Sequence, residues 1–358
     1  MFRSVVVCGF MVLVVGSINV GVARADQPKA PLAVTMTNDP ESNQINVYNA
    51  QTGALLQTLS TNGKGGVGGN ARGVRQLDGE VFAAVNNGSG TVAIFTRDGN
   101  GLRFQGTIAT TSAPVSIDFG NDHMYVAGAT TVDSFAMHQN SVAGLDGSAT
   151  LQLFGGGLPP AGSTAQVGVV DGEHLLVTLK TDPLPGTVDV VALDGGAVKG
   201  SLPAAVSAPD GTLTPFGFAT YPDATAVITL AHSNQVGLFR GGAFADVVGA
   251  QQAADCWMTR VGKYVFTANT GSHTVSRLIG TGNHVFVDAP VAATIVTGGA
   301  PADIDGADGI LAVVDHGSGQ SRVSLFSYNE FGELSPSGTP INVGVANANG
   351  IAILPASK

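Results

Sequence analysis

KYVFTANTGSHTVSRL, residues 263–278, joins an apolar run to a second alternating run through a polar break at residues 269–273. Apolar residues that alternate over short runs indicate half-buried strands, so the stretch predicts two antiparallel strands connected by a short loop. Similar hairpin patterns begin at Leu32, Glu80, His123, His174, Thr225 and Gly309. Strand-type self-similarity at about 40 to 50 residues is typical of the blades of a β-propeller.

A further apolar run precedes every hairpin pattern except the first, as in GVRQL before Glu80 and CWMTR before Lys263. The missing run occurs at the other end of the chain, where NGIAIL at residues 349–354 has no hairpin after it. A C-terminal strand that completes the first blade would remove two free sheet edges, which are sites of aggregation. The sequence therefore predicts an all-β fold, a seven-bladed propeller of four-stranded antiparallel blades closed by the C-terminal strand.

Residues 1–25 have the features of a secretory signal peptide. A positively charged start precedes an apolar core at residues 5–15, and Ala23-Arg24-Ala25 supplies a small-x-small cleavage pattern before Asp26. The alternative, a membrane anchor, would need an apolar run of about 20 residues. We therefore predict export to the periplasm or the extracellular space. Residues 26–358 are expected to form one propeller domain with no integral membrane segment after cleavage.

The charge of the chain narrows the class of partner, and its cysteine content excludes an internal disulfide. Loss of the leader leaves 14 basic and 26 acidic residues, a net charge of about −12, which argues against nucleic acid or an anionic membrane as partner. Cys8 leaves with the leader, so Cys256 is the single remaining cysteine and no intramolecular disulfide can form. Cys256 and the adjacent Trp257 are predicted to be buried. We expect a soluble, monomeric protein whose partner is a small polar ligand or another protein.

The repeats resemble those of a known superfamily. YVFTANTGSHTVSRL and VFAAVNNGSGTVAIF resemble the YVTN-type repeat and the seven-bladed lactonase-like propellers, and the resemblance covers residues 32–354. That superfamily includes 6-phosphogluconolactonase-like and carboxymuconate-cyclase-like enzymes and many non-enzymatic surface proteins. The resemblance rests on blade-forming residues, so it implies the fold. No catalytic residue is carried over from those enzymes.

Candidate site residues follow from position in a propeller. The first strand of each blade lines the axial channel, so the residues that open these strands are predicted to face one mouth of the channel. The weak catalytic candidates there are Arg72, Asp255 and Asp303. The ligand-binding candidates are Gln166, Phe216 and Asn349. Such a set of charged, amide and aromatic groups suits a small polar ligand, and the alternative is a solvent-filled pore.

No metal or cofactor site is predicted, although three features were considered. The glycine-rich residues 62–70 lack the Gly-Lys-Ser/Thr order and the helix of a phosphate loop, so we interpret them as a connection between blades. The acidic residues 303–309 lack the glutamate that closes a calcium loop and are interpreted as the start of a blade. His232, His273 and His316 occupy equivalent loops of successive blades, where ordinary solvated histidines are the expectation.

Two functions remain open at the level of the sequence. The first is a secreted or periplasmic binding or interaction module, because propellers present broad surfaces built from loops and no catalytic motif is visible. The alternative is a lactonase-like enzyme acting at the mouth of the axial channel, with Arg72, Asp255 and Asp303 as its charged groups. That alternative rests on likeness of fold, and one fold can serve many chemistries.

Overall fold

The computed structural model describes residues 1, 29–182 and 185–356, which form seven antiparallel sheets arranged as a ring. The predicted seven-bladed β-propeller is therefore confirmed. The predicted signal peptide lies almost entirely outside the described residues, so export stays a prediction. Neither of the two helices in the described ranges, both short 3₁₀ turns at Asn87–Ser89 and Ala231–Ser233, is long and apolar enough to span a membrane.

The strands of the seven blades follow one another in chain order. Blades 1 to 3 contain β1 (Leu32–Met36), β2 (Gln44–Asn49) and β3 (Leu55–Ser60); β4 (Val74–Leu77), β5 (Val81–Asn86), β6 (Thr91–Asp98) and β7 (Gly101–Ala109); β8 (Pro114–Gly120), β9 (His123–Gly128), β10 (Thr131–His138) and β11 (Ser141–Thr150). Blades 4 and 5 contain β12 (Thr164–Val169), β13 (His174–Leu179), β14 (Thr187–Asp194), β15 (Ala197–Val198) and β16 (Ala204–Ser207); β17 (Pro215–Thr220), β18 (Thr225–Leu230), β19 (Gln235–Arg240) and β20 (Ala243–Gly249). Blades 6 and 7 contain β21 (Asp255–Val261), β22 (Tyr264–Asn269), β23 (Thr274–Thr281) and β24 (His284–Thr294); β25 (Ala300–Ala307), β26 (Ile310–His316), β27 (Ser321–Tyr328), β28 (Leu334–Pro336) and β29 (Ile341–Asn342). The last strand is β30 (Asn349–Leu354).

The C-terminal strand closes the ring as predicted. β30 pairs antiparallel with β1, in a register that joins Leu32 to Leu354 and Val34 to Ala352. All six residues of β30 are buried. Blade 1 therefore has the sheet order β3-β2-β1-β30, and the two ends of the chain share one sheet.

Apolar alternation explains how each blade packs. The second strand of a blade lies between two strands and between two neighbouring blades, so all six residues of β5 are buried. The outermost strand β7 has one side in solvent, and most of its residues alternate between exposed and half-buried positions. The turn before β5 contains Asp78 and Gly79, whose φ angles of 52° and 73° lie in the left-handed region that Asp and Gly tolerate in short hairpins.

Two blades depart from the predicted four continuous strands. The outermost strand of blade 4 is split into β15 and β16, and that of blade 7 into β28 and β29. Pro203 lies in the first break and Pro340 in the second. Proline lacks the N–H that a ladder needs, so it interrupts strands mainly at sheet edges, where these breaks occur.

Candidate functional site

Each end of the axial channel contains a cavity. The upper cavity, of about 440 Å³, lies at the amino ends of the innermost strands and is bounded by the starts of β21, β25 and β30. The lower cavity, of about 310 Å³, lies at their carboxyl ends, between the last residues of β4, β8, β12, β17, β21 and β25. Because the innermost strands run in one direction along the axis, the two cavities present different residues.

One wall of the upper cavity is aromatic. Trp257 is 9% exposed and its indole Nε1–H donates a hydrogen bond to the Asn70 carbonyl oxygen at 2.8 Å. Phe216 packs edge-on against the indole, with ring centroids 5.4 Å apart. Phe216 itself is 5% exposed and lies behind Trp257 instead of lining the cavity. The sequence-predicted Phe216 therefore supports the aromatic wall, and Trp257 forms it.

Amide side chains form the floor beside this wall. Asn349, one of the ligand-binding candidates, lines the upper cavity, and its Nδ2 donates to Asn70 Oδ1 at 2.9 Å. Asn70 Nδ2 in turn donates to the Val115 carbonyl at 2.7 Å, which fixes the orientation of both amides. Asn349 Oδ1 has no hydrogen-bond partner among the described residues.

The glycine-rich connection between blades 1 and 2 passes over the upper cavity. Asn38, at a φ of 57°, accepts hydrogen bonds at Oδ1 from the amides of Gly66 and Val67, at 2.8 and 3.0 Å. These contacts hold the loop in place above the channel. The next two amides, of Gly68 and Gly69, line the cavity and donate to no group in the described part of the chain. The sequence predicts this loop only as a connection between blades, because glycines carry no side-chain signal that would indicate unpaired N–H groups at a cavity.

His316 supplies a titratable ring at the edge of the same cavity. Its Nε2 lies 2.7 Å from the Ala348 carbonyl oxygen. A carbonyl oxygen only accepts, so Nε2 carries the hydrogen and the neutral ring has its lone pair on Nδ1. The other two loop histidines are engaged elsewhere, since His232 pairs with Asp182 at 2.8 Å and the His273 ring contacts the Gly299 carbonyl. Over the described residues, no three His, Cys, Asp or Glu side chains are placed to share a metal ion.

The two predicted aspartates lie behind the upper cavity, beyond its walls. Asp255 is fully buried, burial raises its pKa to about 8, and neither carboxylate oxygen has a hydrogen-bond partner in the described chain. Asp303 is 2% exposed and accepts hydrogen bonds from the amides of Ile304 and Arg72, at 2.9 and 3.2 Å. Burial raises the Asp303 pKa to about 7.

Arg72 spans the channel instead of facing the upper mouth. Its amide contacts Asp303, but its guanidinium reaches the lower cavity, where Nη1 lies 3.5 Å from Asp118 Oδ2. Its Nη2 donates to the Phe218 carbonyl at 3.4 Å. The sequence pattern predicts Arg72 at one mouth with Asp255 and Asp303. In the structure the Arg72 guanidinium lies away from the upper mouth, because the long side chain extends to the lower cavity and Asp118.

Gln166 also differs from its predicted position. It is fully buried, its Nε2 donates to the Phe218 carbonyl at 2.8 Å, and its Oε1 accepts from the Phe218 amide at 3.0 Å. Both ends of the amide are thus used to tie blade 4 to blade 5. Arg72, Gln166 and Phe218 together pack across the channel between the upper and lower cavities.

The ring of seven blades, with a cavity at each end of the axial channel, defines a seven-bladed β-propeller. No protein-family model matches the chain, and no curated protein matches its sequence. Solved structures do match. They include the periplasmic gluconolactonase of Pseudomonas aeruginosa, at 14% identity and a TM-score of 0.63, with 90% of this chain and 99% of that chain covered.

Two further matches show the range of proteins with this architecture. A candidate 6-phosphogluconolactonase from Bacteroides uniformis has 16% identity and a TM-score of 0.65, with 91% of this chain and 100% of that chain covered. Virginiamycin B lyase from Staphylococcus aureus has 14% identity and a TM-score of 0.53, over 81% of this chain and 92% of that chain. The chain therefore has the fold of the lactonase-like propellers, as the repeat resemblance implied. Identities this low establish the fold alone.

Proposed function

We propose that this protein binds a small, polar lactone in the upper cavity and hydrolyses it, with His316 as the general base. The observation that carries the proposal is that two kinds of group line the same cavity. His316 Nε2 is directed to the Ala348 carbonyl oxygen, so the neutral ring has its lone pair on Nδ1, and Gly68 and Gly69 offer amide hydrogens that are not used by the described chain. Hydrolysis of an ester needs a base for water and donors for the carbonyl oxygen.

The proposed hydrolysis uses these groups in two steps, attack by water and loss of the alkoxide. Nδ1 of His316 takes a proton from water, whose oxygen attacks the lactone carbonyl and forms a tetrahedral anion. The glycine amides stabilise the negative charge on the former carbonyl oxygen. The ring C–O bond then breaks, and the imidazolium returns the proton to the leaving alkoxide, so the product is a hydroxy acid.

The remaining walls fit a hydroxylated ring. Trp257 offers an apolar surface for the C–H groups of a sugar-like ring, and Asn349 lines the cavity beside it. The cavity volume of about 440 Å³ is in the range of small-molecule sites. Solved propellers of the same fold include a gluconolactonase, which supports a sugar-derived lactone as the first substrate to test.

A panel of simple and sugar-derived lactones tests the reaction. His316→Gln retains an N–H for the Ala348 carbonyl and removes the base, so we expect kcat to fall about 100-fold or more with an unchanged melting temperature. His232→Gln is the matched control, because His232 lies on an exposed loop and pairs with Asp182. Activity that survives His316→Gln would refute the assignment of the base.

Trp257 allows binding to be measured apart from catalysis. It is the only tryptophan of the chain and forms part of the cavity wall, so its fluorescence should respond to a bound lactone. A fluorescence change without turnover above the spontaneous rate would favour the alternative function, a binding module that uses the same cavity. The absence of both responses would reject the upper cavity as a lactone site.

We further propose that the protein is exported. The leader-like composition of residues 1–25 supports this proposal, and a protein of the same fold from Pseudomonas aeruginosa is periplasmic.

A further inference from the structure

The lower cavity has a chemistry distinct from that of the upper one. Three arginines, Arg72, Arg75 and Arg260, and two aspartates, Asp118 and Asp305, line a space of about 310 Å³. These residues come from four different blades and meet only because the innermost strands converge at the axis. The set carries a net charge of +1 on a protein whose overall charge is strongly negative.

The acceptor capacity of Asp118 is taken up by the protein. Its Oδ1 accepts from Arg75 Nε at 2.9 Å, and its Oδ2 accepts from the Val169 amide at 2.9 Å and lies 3.5 Å from Arg72 Nη1. Burial alone would raise the pKa of Asp118, but the charges of Arg75 and Arg72 outweigh it and hold that pKa below its usual value. Asp118 is therefore ionised and acts as a fixed support for two guanidinium groups.

The oxygens of Asp305 are likewise occupied by groups of the protein. Its Oδ2 accepts from the Ile353 amide at 2.9 Å. Its Oδ1 lies 3.3 Å from the Thr259 hydroxyl and 3.5 Å from Arg75 Nη1. Both carboxylates thus have a partner on each oxygen, and neither is left to bind a cation.

The arginine N–H groups at the lower cavity, in contrast, outnumber the acceptors that the protein provides for them. Arg260 donates from Nε to the Thr220 carbonyl at 2.7 Å and from Nη1 to the Gly262 carbonyl at 2.6 Å, and it stacks 5.5 Å from the centre of the Tyr221 ring. Arg260 Nη2 and Arg75 Nη2 have no hydrogen-bond partner in the described chain, and Arg260 forms no ion pair there. Two oriented guanidinium groups at one cavity are thus left with N–H groups to offer.

We propose that the lower cavity is a binding site for a small, singly charged carboxylate anion. An arginine fork is matched in shape to the two oxygens of a carboxylate, and its N–H groups can bind both. The net charge of +1 is neutralised by one negative charge and would be overcompensated by two. Because Arg72, Gln166 and Phe218 pack between the cavities, this site does not depend on the reaction proposed for the upper cavity.

Titration of the full mature protein with sodium acetate tests the site, with calorimetry as the readout and sodium chloride at matched ionic strength as the blank. Arg260→Gln should weaken acetate binding about 10-fold or more, since it removes a charged donor. Arg240→Gln is the matched control. Arg240 also donates to a turn carbonyl, that of Gly282 at 3.0 Å, but lies on the outer part of blade 5, and its loss should change binding less than about 2-fold.

A second variant keeps the test valid if Arg260→Gln disturbs folding. Gln76 lines the lower cavity, and its Oε1 accepts from the Gly79 amide at 2.8 Å. Gln76→Glu retains that acceptor and adds a negative charge, so it should weaken acetate binding while leaving the melting temperature unchanged. Fluorescence of Trp257 should not respond to acetate, because Trp257 reports on the upper cavity.

Three results would overturn the proposal. The first is no calorimetric signal from acetate beyond the chloride blank. The second is acetate binding that is equal in the wild type and in both lower-cavity variants. The third is tighter binding of inorganic phosphate than of acetate, which would reject a singly charged carboxylate as the ligand.

Discussion

Replacing Asp255 with asparagine should stabilise the protein in a way that depends on pH. Asp255 is fully buried without a hydrogen-bond partner in the described chain, and burial raises its pKa from 3.8 to about 8. The unfolded chain ionises this carboxyl near pH 4, whereas the folded protein keeps it protonated. The contribution of Asp255 to stability is therefore most favourable below pH 4 and is lost as the pH rises to about 8. Asparagine has nearly the same shape and no such titration.

The size of the effect follows from proton linkage. One proton held only by the folded state costs about 1.4 kcal/mol of stability for each pH unit. Between pH 5 and pH 7 the stability of Asp255→Asn relative to wild type should thus rise by about 2.7 kcal/mol. For a domain of roughly 330 residues the unfolding entropy is about 0.7 kcal/mol per kelvin, so the melting temperatures should diverge by about 4 °C.

Melting temperatures measured by circular dichroism at half-unit steps from pH 5 to pH 9 provide the assay. Taking the difference between variant and wild type removes the contributions of the other titrating groups. Asp210→Asn serves as the control for the loss of one carboxyl, because Asp210 is exposed. A flat difference for Asp255→Asn would show that Asp255 is ionised in the folded protein and would refute the reasoning.

Three further predictions concern closure, the channel and export. Truncation after Asn347 removes β30, whose buried Ile351, Ile353 and Leu354 together contribute about 5 to 9 kcal/mol to stability. The shortened protein should therefore aggregate in sedimentation experiments or unfold at a lower temperature in melting experiments. A soluble product that melts like the full chain would contradict closure of the ring by β30. Arg72→Met leaves Asp118 with one arginine partner and should lower the melting temperature by about 3 to 4 °C, equivalent to a loss of about 2 to 3 kcal/mol of stability. An unchanged melting temperature would mean that the contact between Arg72 and Asp118 does not stabilise the fold. N-terminal sequencing of protein from the periplasm or medium should begin at the residue after Ala25, and retention of Met1 would argue against cleavage.

Strand positions were predictable because they follow from local patterns. The hairpin pattern at residues 263–278 corresponds to β22 and β23, and the orphan run at residues 349–354 corresponds to β30 with the same bounds. Alternation fixes which residues of a strand face a neighbouring blade, and turn residues fix where each strand stops. The breaks in the outermost strands of blades 4 and 7 follow from prolines that the blade count did not consider.

The site was less predictable because its residues meet through the ring and not through the sequence. Asn349 lines the upper cavity because it opens an innermost strand, and its role in binding a ligand stays a prediction. His316 follows from no strand position, because it ends β26 and reaches the cavity through its contact with Ala348. The sequence does place His232, His273 and His316 in equivalent positions of three blades. Equivalence alone does not show which of the three side chains reaches the cavity.

The chemistry of the channel shows this limit most clearly in Asp303 and Asp305. The two residues are separated by one position in β25, so strand alternation turns both towards the axis. Asp303 accepts hydrogen bonds from the main-chain amides of Ile304 and Arg72 and forms no ion pair in the described chain, and burial raises its pKa to about 7. Asp305 lies two residues further along, where it meets Arg75 from another blade and the Ile353 amide from the closing strand. Asp303 is thus close to neutral, whereas Asp305 pairs with an arginine. Strand alternation does not predict this difference, because Arg75 and Ile353, the partners of Asp305, are more than 40 positions away in the chain.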